Sequence, residues 1–162
     1  MYKRQVQQLA TTVTPEKRPK LSFALGELTD WDFQRYPRLL DRYSHDQISG
    51  MSYVKIGLAG ARQLRNWQTS WCDLFSDLPS NIQPVVVAYL DRLSKGKSVA
   101  DVLCPDIEQL IEVAKEQPQV STILLDTCDK QNNLFASVDD RRLQEIIAAA
   151  DGAGLHLSLI HI

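Results

Sequence analysis

Hydrophobic and polar positions alternate between two periods along this chain. Leu21-Ser22-Phe23-Ala24-Leu25-Gly26 is a short apolar run of strand length. Ser52-Tyr53-Val54-Lys55-Ile56-Gly57-Leu58 is β-branched and aromatic, which predicts a second strand. Pro84–Leu90 and Val120–Leu125 are continuous apolar runs, as buried strands require, and Leu155-His156 opens a fifth. Between these runs the apolar positions recur at three- and four-residue steps. Ala61–Leu78 places Leu64, Trp67, Trp71, Leu74, Phe75 and Leu78 in helical register, an amphipathic helix of about four or five turns. Pro105–Lys115 and Val138–Ala150 carry the same pattern, the latter ending at Gly152-Ala153-Gly154, where glycine suits a left-handed cap. Tyr36–Tyr43 is weakly helical, and Val6–Val13 reads as the tail of a helix stopped by Thr14-Pro15.

The predicted order is therefore a helix tail followed by βαβαβαβαβ. Apolar strands alternating with amphipathic helices indicate an α/β fold, a parallel sheet covered by helices. A spacing of roughly 30 residues per β-α unit suits a doubly wound sheet or part of a (β/α)8 TIM barrel. A whole barrel takes ~250 residues, and this chain has 162. We expect a partial barrel, approximately strands three to seven with the intervening helices.

Composition narrows the function classes. The chain is 44% apolar and 23% charged, with a formal charge of −2. That balance offers no basic face for nucleic acid, and no run approaches the ~20 apolar residues that span a bilayer. Cys72, Cys104 and Cys128 are widely spaced, with no C-x-x-C pair, and read as unpaired thiols in a reducing compartment. His45 and His156 stand apart from any metal-ligand spacing, so no metal site is expected. No signal peptide is evident, and a cytoplasmic location is expected.

The termini read differently from the rest. With one choice of codons, Leu157-Ser158-Leu159-Ile160-His161-Ile162 is CTG TCT CTT ATA CAC ATC. The complementary strand contains GTG TAT AAG AGA CAG, which is Met1-Tyr2-Lys3-Arg4-Gln5 when GTG is the start. That word resembles a transposon end used to tag sequencing libraries. We expect residues 1–5 and 157–162 to be translated adapter and 6–156 to be the partial barrel domain.

Ionisable residues stand at or near the C-terminal ends of the predicted strands: Glu27, Asp91 and Asp126, with Lys55 inside an apolar run. In parallel α/β folds this end of the sheet carries the active site. A charge after a strand also simply marks its emergence into water. Lys55 should share a strand face with Tyr53 and Gly57. Facing a barrel mouth, such a lysine can act as a base or form a Schiff base; near an edge it would snorkel to solvent. Asp126 and Lys130 are close enough to reach one substrate from a single loop. Cys128 has no evident histidine partner to make it a nucleophile. Lys95-Gly96-Lys97 is a solvated loop or a phosphate contact, and no G-x-G-x-x-G or P-loop occurs.

These residues resemble the (5-formylfuran-3-yl)methyl phosphate synthases of methanofuran-type cofactor biosynthesis. The matching stretches are Ser22–Glu27, Tyr53-Val54-Lys55-Ile56-Gly57-Leu58-Ala59-Gly60, Val87-Ala88-Tyr89-Leu90-Asp91, and Leu125-Asp126-Thr127 with Lys130 and Leu134-Phe135. Gly26-Glu27-Leu28 resembles the bacterial branch. The resemblance implies a (β/α)8 barrel lyase that condenses two molecules of glyceraldehyde 3-phosphate through a lysine Schiff base. It implies catalytic roles for Lys55, Asp126 and Lys130 and substrate binding by Glu27 and Asp91. The family's Schiff-base lysine lies in a D-V-K-N-P-like motif, which this sequence does not contain. The resemblance implies no metal or organic cofactor, and as partners only a small phosphorylated substrate, with no nucleic acid or membrane. It leaves room for a homo-oligomer of the full-length protein. Another Schiff-base aldolase, or a non-catalytic barrel binding a phosphorylated metabolite, fits the same residues less specifically. On this reading the chain as it stands has no useful activity. The coding DNA is expected to carry the same word, in opposite orientations, at its two ends; different codons at both ends refute the adapter reading.

Overall fold

A computed structural model describes residues 19–91, 103–129 and 134–159, with Leu134 described in its backbone alone. Five strands form one parallel sheet: β1 (Ser22–Glu27), β2 (Tyr53–Gly57), β3 (Gln83–Tyr89), β4 (Thr122–Asp126) and β5 (His156–Leu159). They lie in the order β1-β2-β3-β4-β5. A doubly wound sheet reverses its strand order at a switch point; this one does not. The α/β arrangement, a parallel sheet interleaved with helices, is consistent with a sector of a barrel.

The helices are α1 (Leu39–Arg42), α2 (His45–Ile48), α3 (Trp67–Leu74), α4 (Ile107–Glu116), α5 (Leu134–Ser137) and α6 (Asp140–Gly152). Local chemistry sets where the longer ones begin. The Asp139 carboxylate accepts from the Arg142 N–H at 2.7 Å, which caps α6. Asp106 and Gln109 form a reciprocal capping box at the start of α4.

The sheet divides its residues between two faces. Val54 and Ile56 of β2, Val86 and Ala88 of β3, and Ile123 and Leu125 of β4 pack against Trp67, Trp71, Leu110, Ile111 and Ile146 from the helices. This is the main core. The opposite face carries a smaller cluster of Val85, Val87, Tyr89, Cys104 and Leu124, with Tyr53, Ala59 and Cys128 packed on it. We call it the inner face. Its strand residues are each one position out of phase with a core residue, as the two-residue period demands.

Three expectations are revised in detail. The long helix over 61–78 is instead a 3-10 turn, Ala61–Gln63, followed by the eight-residue α3. Arg62 N–H is taken by the Leu103 carbonyl at 2.9 Å, and Leu64 is extended, so the helix begins only at Trp67. It ends early because the Ser76 hydroxyl bonds the Asp73 carbonyl at 2.9 Å, ahead of Pro79. The weak helix over 36–43 contracts to α1, and extended Tyr43 and Ser44 separate it from α2, which lies beyond that range. The strand opened by Leu155-His156 runs to Leu159 and pairs with β4. Such pairing is made by backbone and is indifferent to the origin of the side chains. The Val6–Val13 helix tail lies outside the described residues.

The two faces of the fold should respond differently to truncation. Ile56→Ala empties a fully buried position and is expected to cost about 2–5 kcal/mol in urea denaturation. Ile147→Ala, at a residue 48% exposed, should change stability by less than about 0.5 kcal/mol.

Candidate active site

The inner face is built in rows by the strand register. Ala24 of β1 lies beside Lys55 of β2, which lies beside Val85 of β3. Val85 lies beside Thr122 of β4, and Thr122 beside His156 of β5. One step toward the C-terminal end, Glu27 pairs with Gly57 and Val87 with Leu124. A further step brings Tyr89 beside Asp126.

Plain alternation would put Glu27 on the helix side, with Phe23 and Leu25. Instead the register shifts between Ala24 and Glu27, so β1 holds one more residue than β2 over that interval. Gly26 absorbs the extra residue at φ 87°, a left-handed backbone that costs glycine no Cβ clash. The bulge turns Glu27 onto the inner face.

There the carboxylate is held on both oxygens. The Tyr89 hydroxyl donates to Oε1 at 2.7 Å, and the Ala59 N–H donates to Oε2 at 2.9 Å. The group lies directly over Gly57, where a Cβ would collide with the Glu27 carboxyl. Glycine at 57 therefore permits a close approach of carboxylate to backbone. Burial first, and then the Glu27 acceptor, push the Tyr89 phenol well above its ordinary range; Cys128 and Asp126 add smaller contributions in the same direction.

Lys55 stands half-buried on this same face, and it makes no hydrogen bond or ion pair with any described residue. Asp126 ends β4, half-buried, with Oδ1 accepting from the Thr127 N–H at 2.8 Å. Asp91 is placed differently from the others. It is fully buried, and its two oxygens accept from the N–H groups of Cys128 and Asp129 at 2.9 Å each. Its carboxylate thus clamps the loop that follows β4. Lys130 lies outside the described residues, as does Lys95-Gly96-Lys97.

The structure so brings Lys55, Glu27 and Asp126 to one face, and sets Asp91 beneath the adjoining loop. Reading the sequence singled out neither Tyr89 nor the turn of Glu27. Tyr89 was reachable by counting Val85, Val87, Tyr89 as one strand face. The bulge was not, because an isolated glycine in a strand does not say which way the next residue turns. None of the three cysteines forms a disulfide with another. Among the described residues no group of three or more His, Cys, Asp or Glu could hold a metal ion, and no helix is long and apolar enough to cross a membrane.

The phenol gives a pH test. Tyr89 is expected to keep its proton in the folded chain above about pH 10, where an unfolded tyrosine loses it. The unfolded state then binds fewer protons, so stability falls as pH rises through that range. Tyr89→Phe should remove this part of the alkaline loss in urea titrations between pH 9 and about 11; an unchanged slope contradicts the hydrogen bond to Glu27.

A family model described as 4-HFC-P synthase matches residues 2–160. No curated protein matches the chain. The match spans all five strands and every residue of the inner face, and it is the family that the Lys55 and Asp126 motifs resemble. The chain belongs to the 4-HFC-P synthase family.

Proposed function

We propose that Lys55, Asp126 and Lys130 are catalytic residues of a carbon-oxygen lyase that condenses two molecules of glyceraldehyde 3-phosphate. The product is a phosphorylated furan aldehyde, and the overall reaction releases water and phosphate. Family membership supports a synthase acting on a small phosphorylated substrate. The observation that carries the residue assignment is the place of Lys55: a lysine on the inner face, half-buried, without an ion pair to any described residue. An ammonium in that setting is available for proton transfer.

In this reading an iminium forms between the ketone isomer of a triose phosphate and a lysine on a preceding strand. No D-V-K-N-P-like motif occurs in the sequence itself. The iminium lowers the barrier to a carbon nucleophile. Lys55 moves protons during enamine formation and dehydration. Asp126 orients Lys130, and Lys130 meets phosphate or developing negative charge. Glu27 contributes from the row above Lys55. Asp91, buried on the backbone of 128 and 129, serves the site by holding the loop between Asp126 and Lys130 rather than by touching substrate. Three cysteines without a disulfide among them fit a cytoplasmic setting.

Borohydride trapping with glyceraldehyde 3-phosphate tests the reading, on protein extended by its upstream coding sequence. A reduced lysine adduct is expected, together with a furan aldehyde identified by mass spectrometry. Lys55→Ala should keep the adduct and slow product formation by roughly 10²–10⁴-fold. No adduct would count against an enzyme of this type; an adduct with a different product would point to another aldolase.

A further inference from the structure

We propose that Arg35 and Arg42, both held against the Tyr36 ring, form a binding site for the phosphate group of a small phosphorylated metabolite. The site lies on the helix side of β1, and the inference does not rest on the reaction assigned to the inner face. It starts from a platform of rings. A 3-10 turn, Leu28–Asp30, leads from β1 to the buried Trp31. The Trp31 indole N–H donates to the Tyr36 carbonyl at 2.6 Å, and the Tyr36 N–H donates to the Asp32 carbonyl at 2.8 Å. Tyr43 meets Phe23 of β1 edge to face, with 5.1 Å between ring centres, and tilts against Trp31. Phe23, Tyr36 and Tyr43 pack on the main core, so the platform stands on the opposite side of the sheet from Lys55.

Two exposed guanidinium groups rest on that platform. The Arg42 Cζ lies over three rings, 4.9 Å from the centre of Trp31, 5.6 Å from Tyr43 and 5.7 Å from Tyr36. The Arg35 Cζ lies 5.1 Å from the same Tyr36 ring. A ring face attracts a guanidinium and restricts where it can lie, yet it offers no lone pair to the N–H donors. Among the described residues neither guanidinium has a carboxylate in ion-pair range or a hydrogen-bond acceptor. The carboxylates nearest in sequence are directed to backbone instead. Asp32 accepts from the Arg35 N–H at 3.1 Å, and Asp41 accepts from the Arg38 N–H at 2.8 Å. By contrast, Arg62, Arg141 and Arg142 each meet a carboxylate, at 3.8, 3.1 and 2.7 Å.

Two like charges are thus drawn to one ring with no counter-charge between them, and their repulsion is relieved by an anion that meets both. A phosphate monoester carries about −1.5 to −2 at neutral pH on three acceptor oxygens, whereas a carboxylate carries one charge. Guanidinium forks match phosphate oxygens bidentately. The rings hold the two arginines before any ligand arrives, which lowers the ordering cost of binding.

Protection from phenylglyoxal, which modifies guanidinium groups, tests the proposal on the 162-residue chain and requires no turnover. Inorganic phosphate and glycerol 3-phosphate, at ionic strength held constant with sodium chloride, should each slow modification of Arg35 and Arg42 roughly tenfold, read by peptide mass mapping. Arg65, exposed and without a ring or carboxylate contact among the described residues, is the internal control and should react at an unchanged rate. Arg42→Lys keeps the charge and loses the fork. In that variant the phosphate concentration that half-protects Arg35 should rise roughly tenfold. If Arg42→Lys fails to fold by circular dichroism, Arg35→Lys read at Arg42 replaces it, with the same rise expected. Unprotected Arg35 and Arg42 overturn the proposal, as does equal slowing at Arg65. An unmoved half-protection in the lysine variant overturns it too, since charge alone would then account for the effect. Protection by inorganic phosphate and not by the ester refutes the metabolite assignment. Protection by oligoaspartate and by neither phosphate would make this an acidic-protein surface and overturn the phosphate site.

Discussion

Strands in this sheet must satisfy two demands on alternate residues, and the helix-side demand is the stronger. Val54, Ile56, Val86, Ala88, Ile123 and Leu125 are buried under α3, α4 and α6, most of them completely. At about 25 cal/mol per Å² of apolar surface, that burial dominates the energetics of the fold. A register slip of one residue would turn all of them outward. The register is therefore fixed by the helix-facing side of the sheet. Lys55, Val85, Tyr89 and Asp126 inherit their places on the other face from it.

That division explains why polar groups are tolerated inside a largely apolar sheet. The inner face carries only a small apolar cluster, and its carboxylates Glu27 and Asp91 are bonded to a hydroxyl or to backbone N–H groups. Glu27 has Tyr89 and the Ala59 N–H; Asp91 has the N–H groups of Cys128 and Asp129. A fully buried carboxylate such as Asp91 would be costly without such partners. Here its two bonds tie the end of β3 to the loop after β4. The two carboxylates thus do similar physical work at different depths: one is held by a loop and a tyrosine, and the other holds a loop.

Much of the fold was legible from periodicity. The five apolar runs became five strands, each within one or two residues except at the open end of β5. The strand-face argument placed Lys55 with Tyr53 and Gly57 as found. The helix over 61–78 was overread because its apolar spacing was right while its backbone was committed elsewhere: Arg62 N–H bonds Leu103, forty-one positions away in sequence. Local pattern cannot report a hydrogen bond made across two loops. The charged residues at the strand ends were visible as a set, yet their separate duties were not, since Glu27, Asp91 and Asp126 look alike in sequence.

By itself the sequence determined the parallel α/β class, the order of its elements, the helix-facing core and the family, because burial periodicity and motif spacing are properties of the chain. Only the tertiary structure decided that Glu27 turns onto the face of Lys55, that Asp91 clamps a loop, and that Tyr89 belongs with Glu27. Those facts depend on a one-residue bulge at Gly26 and on contacts between residues 37 to 62 positions apart. Such contacts exist only once the strands are laid side by side.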